Sequence, residues 1–350
     1  MIKEPLLLRA YRAQPTERTS IWMMRQAGRY LPEYREVRAK HSMLEVIRTP
    51  ELAAKVTLQP IERYGFDAAI IFADILNPLI GMGITLDFVE GEGPKIFNPL
   101  RNRADIEKLI VPAPEDNVGY TLRAIEIAVK QLAPRGTPLI GFSGAPLTLT
   151  SYLCDQGEKD LRTTLEIMHN DHAAWDLLQG KLSTLVADYL IAQVHAGAAA
   201  VQIFDSWAGH LSLEDFTVNV LPYLQRIMQR VHSAVNVPIV YFARNAQKLY
   251  PAFSMIGADL FSVDWQMTLT QASEVIGPSY PLQGNLNPDL LLGAWEPLAE
   301  EATRILKQGA TLKGFVFNLG HGILPSTPLE NVQRLVDLVK KNLVKSNVAA

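Results

Sequence analysis

The chain has 350 residues, 48% of them hydrophobic and 20% charged, which is the balance of a globular protein long enough to bury a sizeable core. A net charge of −3 argues against nucleic acid as a partner, since that calls for a broadly basic domain; yet residues 1–48 gather ten Lys and Arg against five Asp and Glu. Cys154 is the single cysteine, so neither an intrachain disulfide nor a zinc site built on several thiolates can form.

In chain order, Leu6-Leu7-Leu8 is too short for a signal-peptide core, and no stretch approaches about 18 uncharged apolar residues. The sequence therefore predicts a cytoplasmic protein with no membrane partner. Eight short apolar runs follow, each ending in a polar residue or glycine: Ile21–Met24, Ala68–Ala73, Pro138–Phe142, Ala199–Phe204, Pro238–Phe242, Ala258–Val263, Tyr280–Gln283 and Gly314–Phe317. Runs of this length read as strands buried on both faces. Residues 159–195, 213–233 and 329–343 carry apolar residues at helical spacing, as in Leu182, Leu185, Val186, Tyr189 and Leu190. Strands alternating with helices predict an α/β fold, a single-domain (β/α)8 barrel over 1–350 with a frayed tail after Leu343. Uneven spacing leaves an open doubly wound sheet as the alternative.

In a barrel the active site lies at the C-terminal ends of the strands. That rule selects Arg25, Asp74, Ser143, Asp205, Ser206, Arg244, Asp264, Asn285 and His321. The set contains no lysine, which argues against Schiff-base chemistry. Arg25, Arg29 and Arg35 surround a glycine with no acidic residue before Glu33, a cluster suited to a ligand with several carboxylates. Asp74 follows the most apolar run and reads either as a helix cap or as a carboxylate that stabilises developing positive charge. Gly141-Phe-Ser-Gly144 is not a nucleophile elbow, and Asp205, Ser206 and His210 are too close in sequence for a triad. Tyr152 falls in the helix after the third run, where packing and ligand bonding are both open. Glycines on either side of His321 suggest a tight loop that presents the ring to a cavity. Residues 75–103 are either a mobile cover or a fixed loop.

Taken together, Met24–Arg35, Ala68–Leu76, Gly144–Leu149 with Tyr152, Gln202–Ser206 with Ala208-Gly-His210, and Phe317–Gly322 resemble the uroporphyrinogen decarboxylase family. The resemblance covers nearly the whole chain. It implies a homodimeric (β/α)8 enzyme that needs no cofactor or metal and converts the acetate side chains of uroporphyrinogen to methyl groups. It also implies substrate contacts from Arg25, Gln26, Ala27, Gly28, Arg29, Arg38, Phe72, Asp74, Tyr152, Ser206 and His321, with Asp74 and Arg25 catalytic. Two rivals are a zinc- or corrinoid-linked methyltransferase of related fold, which would need thiolate ligands, and a non-catalytic tetrapyrrole-binding protein.

Overall fold

The computed structural model describes residues 4–89, 93–158 and 160–342; the expected tail after Leu343 lies outside them. Ten strands occur in chain order: β1 (Ser20–Ile21), β2 (Ala69–Ile70), β3 (Leu86–Val89), β4 (Gly93–Ile96), β5 (Leu139–Gly144), β6 (Ala200–Asp205), β7 (Ile239–Ala243), β8 (Leu260–Ser262), β9 (Leu282–Leu286) and β10 (Phe315–Leu319). Eight of them form one parallel sheet in the order β1-β10-β9-β8-β7-β6-β5-β2. Sequential neighbours right round the sheet define a barrel, which overturns the open doubly wound alternative. Each of these eight strands overlaps an expected apolar run, although β1 and β2 are only two residues long, whereas β3 and β4 fall in no expected run.

The two ends of the sheet meet through one residue. Asp67 donates its N–H to the Ile21 carbonyl at 2.9 Å, and its carboxylate accepts the Ile21 N–H at 2.9 Å. Arg18 grips the same carboxylate with two nitrogens at 2.6 and 2.8 Å. Backbone groups that lack a ladder partner are thus satisfied by a side chain.

Two separate apolar clusters follow from strand alternation. Inside the barrel lie Trp22, Met24, Ala68, Ile70, Ile140, Ala200, Val240, Phe242, Leu260 and Val316. The helix Leu6–Tyr11 closes the lower end by adding Leu7, Leu8, Ala10 and Tyr11 to that cluster. A polar network sits among them: Gln283 Oε1 accepts from Tyr11 Oη at 2.5 Å and Trp22 Nε1 at 2.8 Å, and its Nε2 donates to Gln202 and Ser262. Outside the sheet, a larger core packs it against the helices. Leu329–Lys341 shows the pattern, burying Val332, Leu335, Val336 and Val339 on one stripe.

The expected helix over 159–195 is two helices, Arg162–Asn170 and His172–His195, divided where Asp171 caps Ala174 N at 3.0 Å. Residues 213–233 likewise divide at Val220, whose φ of −123° leaves helical geometry. Residues 75–103 hold the short helix Asn77–Ile80 and the antiparallel pair β3–β4. Among the described residues, no helix is long and apolar enough to cross a membrane.

Candidate active site

Strand register brings the expected residues to one level above the barrel. Ile21 pairs with Phe317, so Arg25 and His321 each lie four residues beyond a matched pair. Ile70 pairs with Ile140, which sets Asp74 level with the end of β5. Asp205 pairs with Ala243, which sets Ser206 beside Arg244. The side chains come from β10, β1, β2, β5 and β6, an unbroken arc of the sheet order.

Arg25 has φ +62°, a left-handed conformation that costs a non-glycine residue roughly 1–2 kcal/mol. The surrounding hydrogen bonds hold it there. Gln26 N donates to Met23 O at 2.9 Å, Ile323 N to Met24 O at 2.9 Å, and Met24 N to Asn318 Oδ1 at 2.8 Å. The Gln26 side chain is fully buried beneath the turn, accepting from Met23 N at 3.0 Å and donating to Ala68 O at 2.8 Å. That side chain ties the β1 loop to β2, which leaves the Gln26 backbone for the substrate contact expected of this residue. Gly322 clears the space Arg25 occupies, since a Cβ there would stand 2.9 Å from Arg25 Cγ.

Asp74 lies just ahead of the short helix Asn77–Ile80 without capping it, since the N-cap is Leu76 and has no side-chain cap bond. Its Oδ1 accepts the Leu76 N–H at 2.9 Å at the start of Asn77–Ile80, which leaves the second oxygen for the cleft. Desolvation raises its pKa, against the Leu76 hydrogen bond and the Arg25 charge. Arg25 is exposed to the cleft yet walled in closely enough that desolvation lowers its pKa, with Arg29 and Arg244 adding repulsion and Asp74 opposing it. Tyr152 is raised by desolvation and by Asp74, and is a neutral phenol at neutral pH. His321 is pushed down to about 3 by burial and by the Arg25 and Arg244 charges, so its ring is neutral at neutral pH.

Ser206 is half-buried and makes no hydrogen bond among the described residues. Asp205 beneath it is fully buried, accepts from Thr148 at 2.7 Å and Tyr241 at 2.8 Å, and is raised to about 6 by desolvation. Phe72 packs its ring 5.5 Å from Tyr34, which in turn feels the charges of Arg38 and Arg29. Ala27 is half-buried against the core, and Gly28 is buried. Arg35 leaves the cluster of three: it donates to the carbonyls of Arg29 at 2.9 Å and Pro325 at 3.1 Å, and so ties two loops together.

The sequence reading missed the floor of the cleft. Phe142, Phe204 and Phe242 stand in line on β5, β6 and β7 with ring centroids 5.7 and 6.0 Å apart, and the Phe242 ring lies 6.4 Å from His321. Cys154 is buried, its thiol pushed up to about 12, and no group of three or more His, Cys, Asp or Glu among the described residues is placed to hold a metal ion. This donor set does not fit thiolate-bound zinc.

An apolar floor, cationic side chains and a desolvated carboxylate at the mouth of a (β/α)8 barrel are the setting of an enzyme site for a small anionic ligand. Comparison with known proteins narrows that class. Residues 3–342 match the family described as Uroporphyrinogen decarboxylase (URO-D). A relative named uroporphyrinogen decarboxylase from Chloroflexus aurantiacus is 48% identical over 337 residues, covering 95% of this chain and 94% of its own. Another so named, from Chloroherpeton thalassium, is 43% identical and spans the whole of both chains. Among solved structures, a methyltransferase from Methanosarcina mazei superposes with TM-score 0.79 at 24% identity, covering 96% of this chain and 97% of its own. That likeness shows the fold alone. The chain belongs to the uroporphyrinogen decarboxylase family.

Proposed function

We propose that the desolvated Asp74 carboxylate beside Arg25 carries the family's reaction, the decarboxylation of uroporphyrinogen in tetrapyrrole biosynthesis. The chain is a carboxy-lyase by family, and the strand register that sets those two groups at one level of the mouth, where each feels the other's charge, is the observation that supports these roles. Loss of CO2 directly from an acetate leaves an electron pair with no acceptor. Protonation of the adjacent pyrrole carbon first creates an iminium ring, which takes up the pair as the C–C bond breaks. A proton then replaces CO2 on the methylene, and the ring carbon gives up the proton it gained.

Asp74 accepts hydrogen bonds from the pyrrole N–H groups and offsets the new ring charge. At about 4 Å and an effective dielectric near 20 that attraction is worth about 4 kcal/mol. Arg25 and Arg29 hold substrate carboxylates through charge-assisted bonds of about 1.5–3 kcal/mol each, and Arg25 also stands where a proton is relayed. Arg38, Tyr152, Ser206 and neutral His321 orient further carboxylates. Phe72, Ala27, Gly28 and the Gln26 backbone shape the wall.

The working protein in this reading is a single-domain cytoplasmic homodimer that uses no metal or cofactor and binds neither nucleic acid nor membrane. Anaerobic incubation of chelator-treated protein with uroporphyrinogen III, with products resolved by carboxylate number, tests the chemistry. Seven-, six-, five- and four-carboxylate products in succession support it. No turnover until zinc and a methyl donor are added overturns it. Sedimentation tests the assembly, and a 38.9 kDa species refutes the dimer.

A further inference from the structure

Arg244 belongs to none of the segments that carry the family resemblance, yet it stands at the same mouth. It lies one residue past β7, beside Ser206, and extends the arc of contributing strands by one. Its side chain is exposed and makes no hydrogen bond or ion pair among the described residues.

The turn that carries it is built from buried parts. Asp264, with no exposed surface, accepts the Asn245 N–H at 2.6 Å on one oxygen. On the other it accepts Gln247 Nε2 at 2.7 Å and the Gln266 N–H at 3.1 Å. Gly209 packs so tightly below that a Cβ would stand 2.5 Å from the Asn245 carbonyl. A side chain meant only for solvation needs no such clamp.

The charge is also aimed. β7 is the fourth strand from β1 in the sheet order, on the far side of the mouth, yet the Arg244 charge acts on both Arg25 and His321. Arg29 and Arg244 both act on Arg25 against the attraction of Asp74, so these guanidiniums repel one another across the cleft. An anion between them removes that repulsion.

We infer that Arg244 binds a carboxylate of the bound substrate, on a pyrrole ring across the macrocycle from the one that faces Arg25. The inference rests on the substrate reading given above. Two variants test it, Arg244→Gln and Arg244→Lys, by steady-state turnover of uroporphyrinogen III and by fluorescence titration with coproporphyrin. Arg244→Gln should raise KM and the porphyrin Kd about tenfold or more and leave kcat within about threefold. Arg244→Lys should recover most of the affinity, because it restores the charge without the fork.

Unchanged KM and Kd in Arg244→Gln overturn the inference. So does an equal fall of kcat in both variants, which marks a loop role instead. The titration needs no turnover: a wild type that binds porphyrin and does not decarboxylate overturns the reaction assignment and leaves the Arg244 measurement intact.

Discussion

Gly322 is the position where one added methyl group reports on the geometry of the reaction. Alanine there would press its Cβ into Arg25 Cδ and to 2.9 Å from Cγ, closer than real Cβ atoms approach other groups. Arg25 cannot escape by a backbone shift, since Gln26, Asn318 and Ile323 fasten the turn on three sides. The side chain must therefore change rotamer and carry the guanidinium away from Asp74. Losing one charge-assisted carboxylate contact costs about 1.5–3 kcal/mol, or about 10- to 150-fold in kcat/KM. Misplacement of a positioning group by about 1 Å costs a comparable 10²-fold. The assay is kcat/KM on uroporphyrinogen III for wild type and Gly322→Ala, with thermal unfolding of both as the control. A variant that unfolds like wild type and keeps kcat/KM within threefold refutes the Arg25 role.

Other perturbations probe the remaining parts. Asp74→Asn keeps an acceptor for Leu76 N but removes the charge; kcat should fall about 10³-fold while coproporphyrin binding changes less than tenfold, and equal losses would leave Asp74 a binding group only. Because Asp74 must be ionised and its folded pKa is raised, kcat should fall on acidification through a limb above the usual Asp range of about 3.9; a limb at or below that value contradicts the desolvated site. Asp205, raised to about 6, holds a proton that the unfolded chain has lost between about pH 4 and pH 6. Stability should therefore fall by up to about 3 kcal/mol as pH rises through that window, and Asp205→Asn should flatten the slope in urea titrations. Gln283→Leu strands the Tyr11 and Trp22 donors inside the barrel and should cost about 2–4 kcal/mol; a loss under 1 kcal/mol would show that water or repacking satisfies them.

The barrel was legible because a strand buried on both faces has nothing polar to hide: runs such as Ala68–Ala73 announce themselves and their ends. Partners were harder to see. The helix Pro50–Tyr64 runs through Pro60, which removes a backbone donor, and the β3–β4 pair is four residues a side with Gly93 and Pro94 opening β4. Helix divisions at Asp171 and Val220 depend on single capping and φ choices that apolar spacing does not record. At the site, Arg25, Asp74 and His321 were readable as polar residues that end apolar runs. Gln26 and Arg35 looked the same in sequence, and only the fold shows that their polar atoms are spent on backbone. The phenylalanine floor was hidden for the opposite reason, since three aromatic residues inside strands look like ordinary core.

The join at Asp67 bears on the site. Seven junctions of the ring are held by strand ladders, whereas the eighth rests on Asp67, through its backbone N–H and its carboxylate, and on the Gln26 bond to the Ala68 carbonyl, and its two lips lead directly to Arg25 and Asp74. The one break in the ring of ladders thus runs between Arg25 and Asp74, the two charges proposed to carry the reaction.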